Sequence, residues 1–159
     1  MRFWFRCTRC EVRAPFQLQT SRCQCGGTLT VEYDLDWVRT KLTKESVKQR
    51  ETTMWRYAEL LPVEKKEHIV SLGEGWTPLI RLARAEQRLP VRKLWVKREE
   101  QNPTGSFKSR GFSAAISVAA EHGIHKVAVN SNGNAASALA AYAGCAGMEA
   151  YVFLPRDCP

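Results

Sequence analysis

The sequence predicts an α/β protein, an open parallel sheet with flanking helices, preceded by a small cysteine-bearing ribbon. Three observations carry that prediction. From residue 91 onward the apolar period switches repeatedly between strand-like and helix-like, the runs KVAVN and EAYVFLP are largely apolar, and four of the six cysteines fall within the first 25 residues. Apolar strands separated by helices imply parallel pairing with right-handed crossovers. Cysteine pairs between short β-prone runs imply a unit too small to bury a core unaided.

Taken in order, residues 1–35 form the ribbon, with RFWFR and TLTVEYDL as strands and Gly26 and Gly27 as a turn. Residues 36–68 read as a helical linker, because WVRTKL and MWRYAELL space apolar side chains three and four apart and Pro62 ends the second run. Residues 69–159 hold the α/β region. There Thr77 and Pro78 make a turn that starts a strand, VRKLWVKRE is a strand, and a helix runs from about 106 to 122. A strand at KVAVN, a helix over about 134–146 and a strand at EAYVFLP follow, giving βαβαβ. The chain stops at Cys158 and Pro159, directly after an apolar strand, so the expectation is the amino-terminal part of a longer protein.

Composition narrows the classes. With 159 residues, 44% hydrophobic and 25% charged, the chain is neither a disordered tail nor a fibre. Glu121, His122, Lys126 and Asn130 interrupt its most apolar region, so no membrane-spanning helix is expected. The start, MRFWFRCTRC, lacks the apolar core of a secretory signal, and the expected compartment is the cytoplasm. In that reducing environment cysteines are metal ligands or buried thiols rather than disulfides. The net charge of +8 is local: +4 over residues 1–30, zero over 31–70, +5 over 71–110 and −1 over 111–159. Such a patch suits an anionic substrate, a nucleic acid or a plain solvated surface.

Three motifs carry chemistry. Cys7 and Cys10, then Cys23 and Cys25, can surround one tetrahedral ion, for which zinc is the natural candidate; the alternative is four reduced thiols without metal. Cys145 and Cys158 stand alone. NPTGSFKSRG at 102–111 is a turn leading into a helix with Lys108 in its first turn, where the positive helix end disfavours an ammonium; a reactive amine competes with an exposed lysine packed by its stem. SNGNAAS at 131–137 lies between a strand and a helix, where backbone amides face an anion. The competing reading is a helix cap by Asn132 or Asn134.

Together, MWRYAELLPV, IVSLGEGWTPL, NPTGSFKSRG, SNGNAASALAAYA and FLPRDCP occur in the order and spacing of one family. The chain resembles the fold-type II pyridoxal-phosphate enzymes, and within them the lyases that turn O-phosphohomoserine and water into threonine and phosphate. The resemblance implies that Lys108 forms the Schiff base with pyridoxal 5'-phosphate and then shuttles protons. It also implies that Asn134 bonds the cofactor's ring hydroxyl and that Ser131, Asn132, Gly133 and Ala135 bind the substrate carboxylate. Ser106 and Arg110 flank the lysine as helix cap and surface charge, and Trp55 and Tyr57 read as packing anchors. Ser109 and Asn132 depart from the family's acidic and small hydroxyl residues, near where substrate would sit. His68, His122 and His125 match no family role; HGIH reads as a helix end and loop.

The partners implied are a small anionic amino-acid substrate and a second copy of the full-length chain, with no membrane and no nucleic acid. In this family the glycine-rich phosphate loop and the residue facing the pyridine nitrogen come later in the chain, so these 159 residues alone are expected to be inactive. Rival readings are a threonine or serine dehydratase, a diaminopropionate ammonia-lyase, a cysteate synthase, or, outside enzymes, a zinc-ribbon module contacting nucleic acid.

Overall fold

Alternation of large apolar residues builds the first sheet. The computed structural model describes residues 2–18 and 20–158. The chain divides into two compact units, one reaching to Arg50 and including Tyr57–Pro62, the other holding Glu51–Arg56 and everything from Val63 onward.

In the first unit, β1 (Phe3–Cys7), β2 (Arg13–Ala14) and β3 (Leu29–Tyr33) form an antiparallel sheet in the order β2-β1-β3. Phe3, Phe5 and Cys7 alternate inward and are buried. Phe16 packs on that face, with its ring centroid 5.2 Å from Phe3 and 4.8 Å from Phe5. Glu32 accepts from the Trp4 indole, Arg6 and Arg13, so two of the ribbon's basic residues already have an anionic partner. Helix α1 (Leu35–Lys41) begins where the Asp34 carboxylate accepts from the Trp37 amide at 2.9 Å, and α2 (Lys44–Lys48) begins with a reciprocal Thr43–Ser46 capping box. MWRYAELL is not one α-helix. Met54–Leu60, whose residues up to Arg56 belong to the second unit and those from Tyr57 to the first, forms 3-10 turns broken at Tyr57. Trp55 is buried as expected, whereas Tyr57 is exposed and not a packing anchor.

In the second unit, β4 (Leu79–Arg81) follows the turn at Thr77 and Pro78; α3 (Ala83–Glu86) and β5 (Trp95–Lys97) come next. Here the expected parallel strand is corrected. β5 keeps only three residues of VRKLWVKRE and pairs antiparallel with β4. The Glu86 carboxylate accepts from Arg81 and from the Leu94 amide, which draws the ends of the intervening segment together and folds it back.

Parallel pairing is confined, among the described residues, to β6 (Lys126–Asn130) and β7 (Glu149–Phe153), in register from Lys126 opposite Glu149 to Asn130 opposite Phe153. Helix α4 (Lys108–Glu121) precedes β6, and α5 (Asn134–Cys145) is the crossover between the strands. The two helices share a core of Ile116, Ala119, Leu139, Tyr142, Ala143 and Met148, against which Val127 and Val129 of β6 pack. A crossover returns antiparallel to the strands it joins, and α4 reaches β6 through a short turn, so both helices start at the strands' carboxyl ends. The HGIH segment is a helix end and loop, His122 closing α4 onto Ala119 O. Among the described residues no helix is long and apolar enough to cross a membrane.

Candidate functional site

Lys108 is delivered by a tightly bonded turn. The Asn102 side chain accepts from the Gly75 amide at 3.1 Å and donates to Glu99 O at 2.7 Å, tying the turn to the Gly75 segment. Gly105 takes a left-handed φ of 69° and its amide returns to Asn102 O. The buried Ser109 hydroxyl bonds the Thr104 amide and hydroxyl, at 3.2 and 2.7 Å. Ser109 therefore closes this turn from inside. The Ser106 hydroxyl accepts from the Lys108 amide at 3.3 Å, but Phe107, not Ser106, takes the cap position of α4. Arg110 is not a free surface charge. Its guanidinium grips both oxygens of Glu99 at 2.8 Å, and Thr77 donates to the same carboxylate at 2.7 Å. Above all Arg110 holds the Glu99 carboxyl at about 2. Lys108 itself is half-exposed and makes no ion pair among the described residues; its Nζ lies 4.6 Å from the Phe107 ring centroid.

Ser131, Asn132, Gly133, Asn134 and Ala135 form the loop between β6 and α5 and the helix's first turn. The Ser131 amide donates to Phe153 O at 3.0 Å, and Ser131 Oγ accepts from the Gly133 amide at 3.3 Å. Gly133 occupies the cap position with no side-chain bond, so neither Asn132 nor Asn134 caps the helix. A cleft of about 410 Å³ runs beside this loop, lined by Asn130, Ser131, Asn132, Phe153, Leu154 and Pro155. It lies outside the carboxyl ends of parallel strands, where open α/β sheets take ligands. Lys108 heads the neighbouring helix, and among the described residues no hydrogen bond joins it to the loop.

Glu74 was not singled out in the sequence, yet it is completely buried. Its carboxylate receives the Trp55 indole at 3.0 Å, Ser113 at 2.7 Å, Ser71 at 3.0 Å, the Leu72 amide at 3.0 Å and Tyr142 at 2.6 Å. Burial, and the bond to this carboxylate, push the Tyr142 hydroxyl well above its ordinary range. The only signal in the sequence is a glutamate between two glycines.

The four ribbon cysteines converge, all four sulfurs lying within 4.8 Å of one another. Cys7 Sγ is 3.5 Å from Cys25 Sγ, and Cys10 Sγ 3.6 Å from Cys23 Sγ. A tetrahedral ion with sulfur bonds of about 2.3 Å separates its ligands by roughly 3.8 Å, so the cluster has the right size for zinc. Amides of Cys10 and Arg9 point at Cys7 Sγ and bring that thiol down to about 6, which favours the thiolate a metal needs. A Cβ on Gly27 would lie 2.6 Å from Cys7 Sγ, so only glycine leaves room for the cluster.

An amine without an acidic partner, heading a helix beside a second helix whose uncapped start adjoins a strand-end cleft, fits a carbonyl cofactor that carries an anionic group. Residues 70–159 match the family described as pyridoxal-phosphate dependent enzyme, and the chain belongs to that family. Over 151 residues, 95% of this chain and 37% of the relative, it is 41% identical to the threonine synthase of Methanocaldococcus jannaschii. It is 42% identical to that of Methanosarcina acetivorans over 132 residues, 83% of this chain and 32% of the relative. The threonine synthase of Halalkalibacterium halodurans is 42% identical over 109 residues, 65% of this chain and 30% of the relative. The chain thus spans about a third of the length of these relatives.

Proposed function

We propose that the chain carries the lysine-bearing part of a threonine synthase, acting on O-phosphohomoserine and water to give threonine and phosphate. The observation that supports this best is the placement of Lys108 and of the 131–135 loop at the heads of two helices packed on one core, both at the strands' carboxyl ends. Bound pyridoxal phosphate supplies an electron sink that makes substrate C–H bonds acidic. Lys108 Nζ is the attachment point and the base that moves protons between substrate carbons while phosphate leaves the γ carbon and water adds at the β carbon. Asn134 offers its amide to the cofactor's ring hydroxyl. Ser131, Asn132, Gly133 and Ala135 hold the substrate carboxylate at the positive end of α5, where the Ser131 hydroxyl and the Asn132 side-chain amide are donors besides the Ser131 and Gly133 amides already bonded within the protein.

In this reading residues 1–35 are a ribbon in which Cys7, Cys10, Cys23 and Cys25 hold one structural zinc, residues 36–68 are a linker, and residues 69–159 begin the catalytic region, whose parallel sheet further strands would extend. The complete enzyme is a cytoplasmic homodimer. The test is to reduce the cofactor-loaded protein with borohydride and map the adduct. Mass on Lys108 is expected; mass on Lys97 or Lys126 instead would overturn the assignment. In a chain of the relatives' full length, O-phosphohomoserine should yield phosphate and threonine, and rapid deamination of threonine or serine with O-phosphohomoserine untouched would put a dehydratase in its place.

A further inference from the structure

Glu74 is the one fully buried carboxylate among the described residues, and the proposed chemistry does not use it. Among the described residues it forms no ion pair within 4 Å; its five hydrogen-bonding partners are neutral groups drawn from four parts of the second unit. One is Trp55, two are Ser71 and Leu72 in its own loop, one is Ser113 on α4 and one is Tyr142 on α5. Ser113 Oγ lies 2.7 Å from Val70 O as well as 2.7 Å from Glu74, its single proton serving one or the other, and Ser117, one turn further along α4, accepts from the Val70 amide at 2.8 Å. The loop bearing Glu74 is thereby stitched along α4, while the carboxylate reaches across to α5.

The contacts fix the chemistry of the hub. On one oxygen sits the Leu72 amide and on the other the Trp55 indole, and neither N–H can accept a hydrogen bond. A neutral amide of equal size would have to point its NH2 at one of them in either orientation. The hub therefore requires an accepting oxygen on both sides, which a carboxyl group provides and an amide does not. Ser113 lies five residues from Lys108, about 7.5 Å along the helix, and Tyr142 eight residues from Asn134, about 12 Å. Both helices act as short rigid levers from this point.

Building on the proposed role of Lys108, we infer that Glu74 is a positioning residue, whose carboxylate locks α4 and α5 together and so sets how Lys108 and the 131–135 loop are presented. Neutral partners suit this task, because their hydrogen bonds fix the carboxyl from several directions at once.

In a chain of the relatives' full length, pyridoxal phosphate fixed with borohydride reads the presentation of Lys108 without any turnover. Mass spectrometry gives the ratio of adduct on Lys108 to adduct on Lys126, an exposed lysine on β6. The wild-type protein should strongly favour Lys108. Glu74→Gln should lower the ratio about tenfold through misplacement of the amine, and Tyr142→Phe should lower it less. Ile116→Val, which loosens the same core without touching the carboxylate, should leave it unchanged. Each variant is labelled well below its unfolding transition in urea, and if Glu74→Gln does not fold, Tyr142→Phe and Ser113→Ala carry the test. An unchanged ratio in the folded hub variants overturns the role of Glu74, as does an equal fall in Ile116→Val. A wild-type protein without preference for Lys108 overturns the lysine assignment beneath it, so the two failures are distinct.

Discussion

Arg110 and Glu99 show what one ion pair does for the turn before Lys108. The Glu99 carboxyl, held at about 2 chiefly by Arg110 and further by Thr77 and Asn102, is depressed below its ordinary value of 4.5. A depressed carboxyl stabilises the fold above its unfolded value and loses that contribution as the pH falls through the folded one. Glu99→Gln should therefore cost about 1 to 2 kcal/mol at neutral pH, after allowance for partial exposure. The gap should close between about pH 5 and pH 2 in urea titrations; a pH-independent gap would refute the linkage. Gly75 is the other residue with no substitute, having φ of 112° and space for no Cβ, which would lie 2.5 Å from the Met54 amide nitrogen. Gly75→Ala should lose on the order of 2–3 kcal/mol or more. None of this was legible in sequence, where Arg110 read as a surface charge. Its partner lies eleven residues away across a turn, and Gly75 meets a segment some twenty residues earlier.

At the scale of elements, the reading held for the strand and helices that pack on one core. KVAVN became a strand without change, and the helices after it and before it ended within about two residues of expectation. Period reports burial on one face, and these elements bury one face against a shared core. VRKLWVKRE failed because residues 91–94 belong to a fold-back held by Glu86, a side-chain effect that periodicity does not carry. In α5, Gly144 is helical, exposed and free of neighbours within 4 Å of an added Cβ. Gly144→Ala should thus stabilise the unit by about 0.5–1 kcal/mol, read as a higher urea midpoint.

For the whole molecule, the two units should respond differently to loss of metal. The ribbon's sheet buries Phe3, Phe5 and Cys7, a small core, and its cysteine cluster would supply much of its folding energy. A strong chelator, or Cys10→Ser, should release one equivalent of zinc and open residues 2–34 to proteolysis while α4 and α5 stay protected. Protein with reduced thiols and well under one zinc would refute the site. The cysteine spacing made this cluster readable, because four ligands of one chemistry declare themselves. The Glu74 hub stayed hidden because its partners are scattered from Trp55 to Tyr142 and mix an indole, a backbone amide and hydroxyls, with no fixed spacing.

Val70 lies in no regular element, yet its amide and carbonyl are both bonded to serines of α4. In deuterium exchange such an amide is slow although it lies in a loop, and it exchanges only when the helix holding it opens. A single loop proton, followed over time, would then report the opening of α4 and with it the exposure of the turn that carries Lys108.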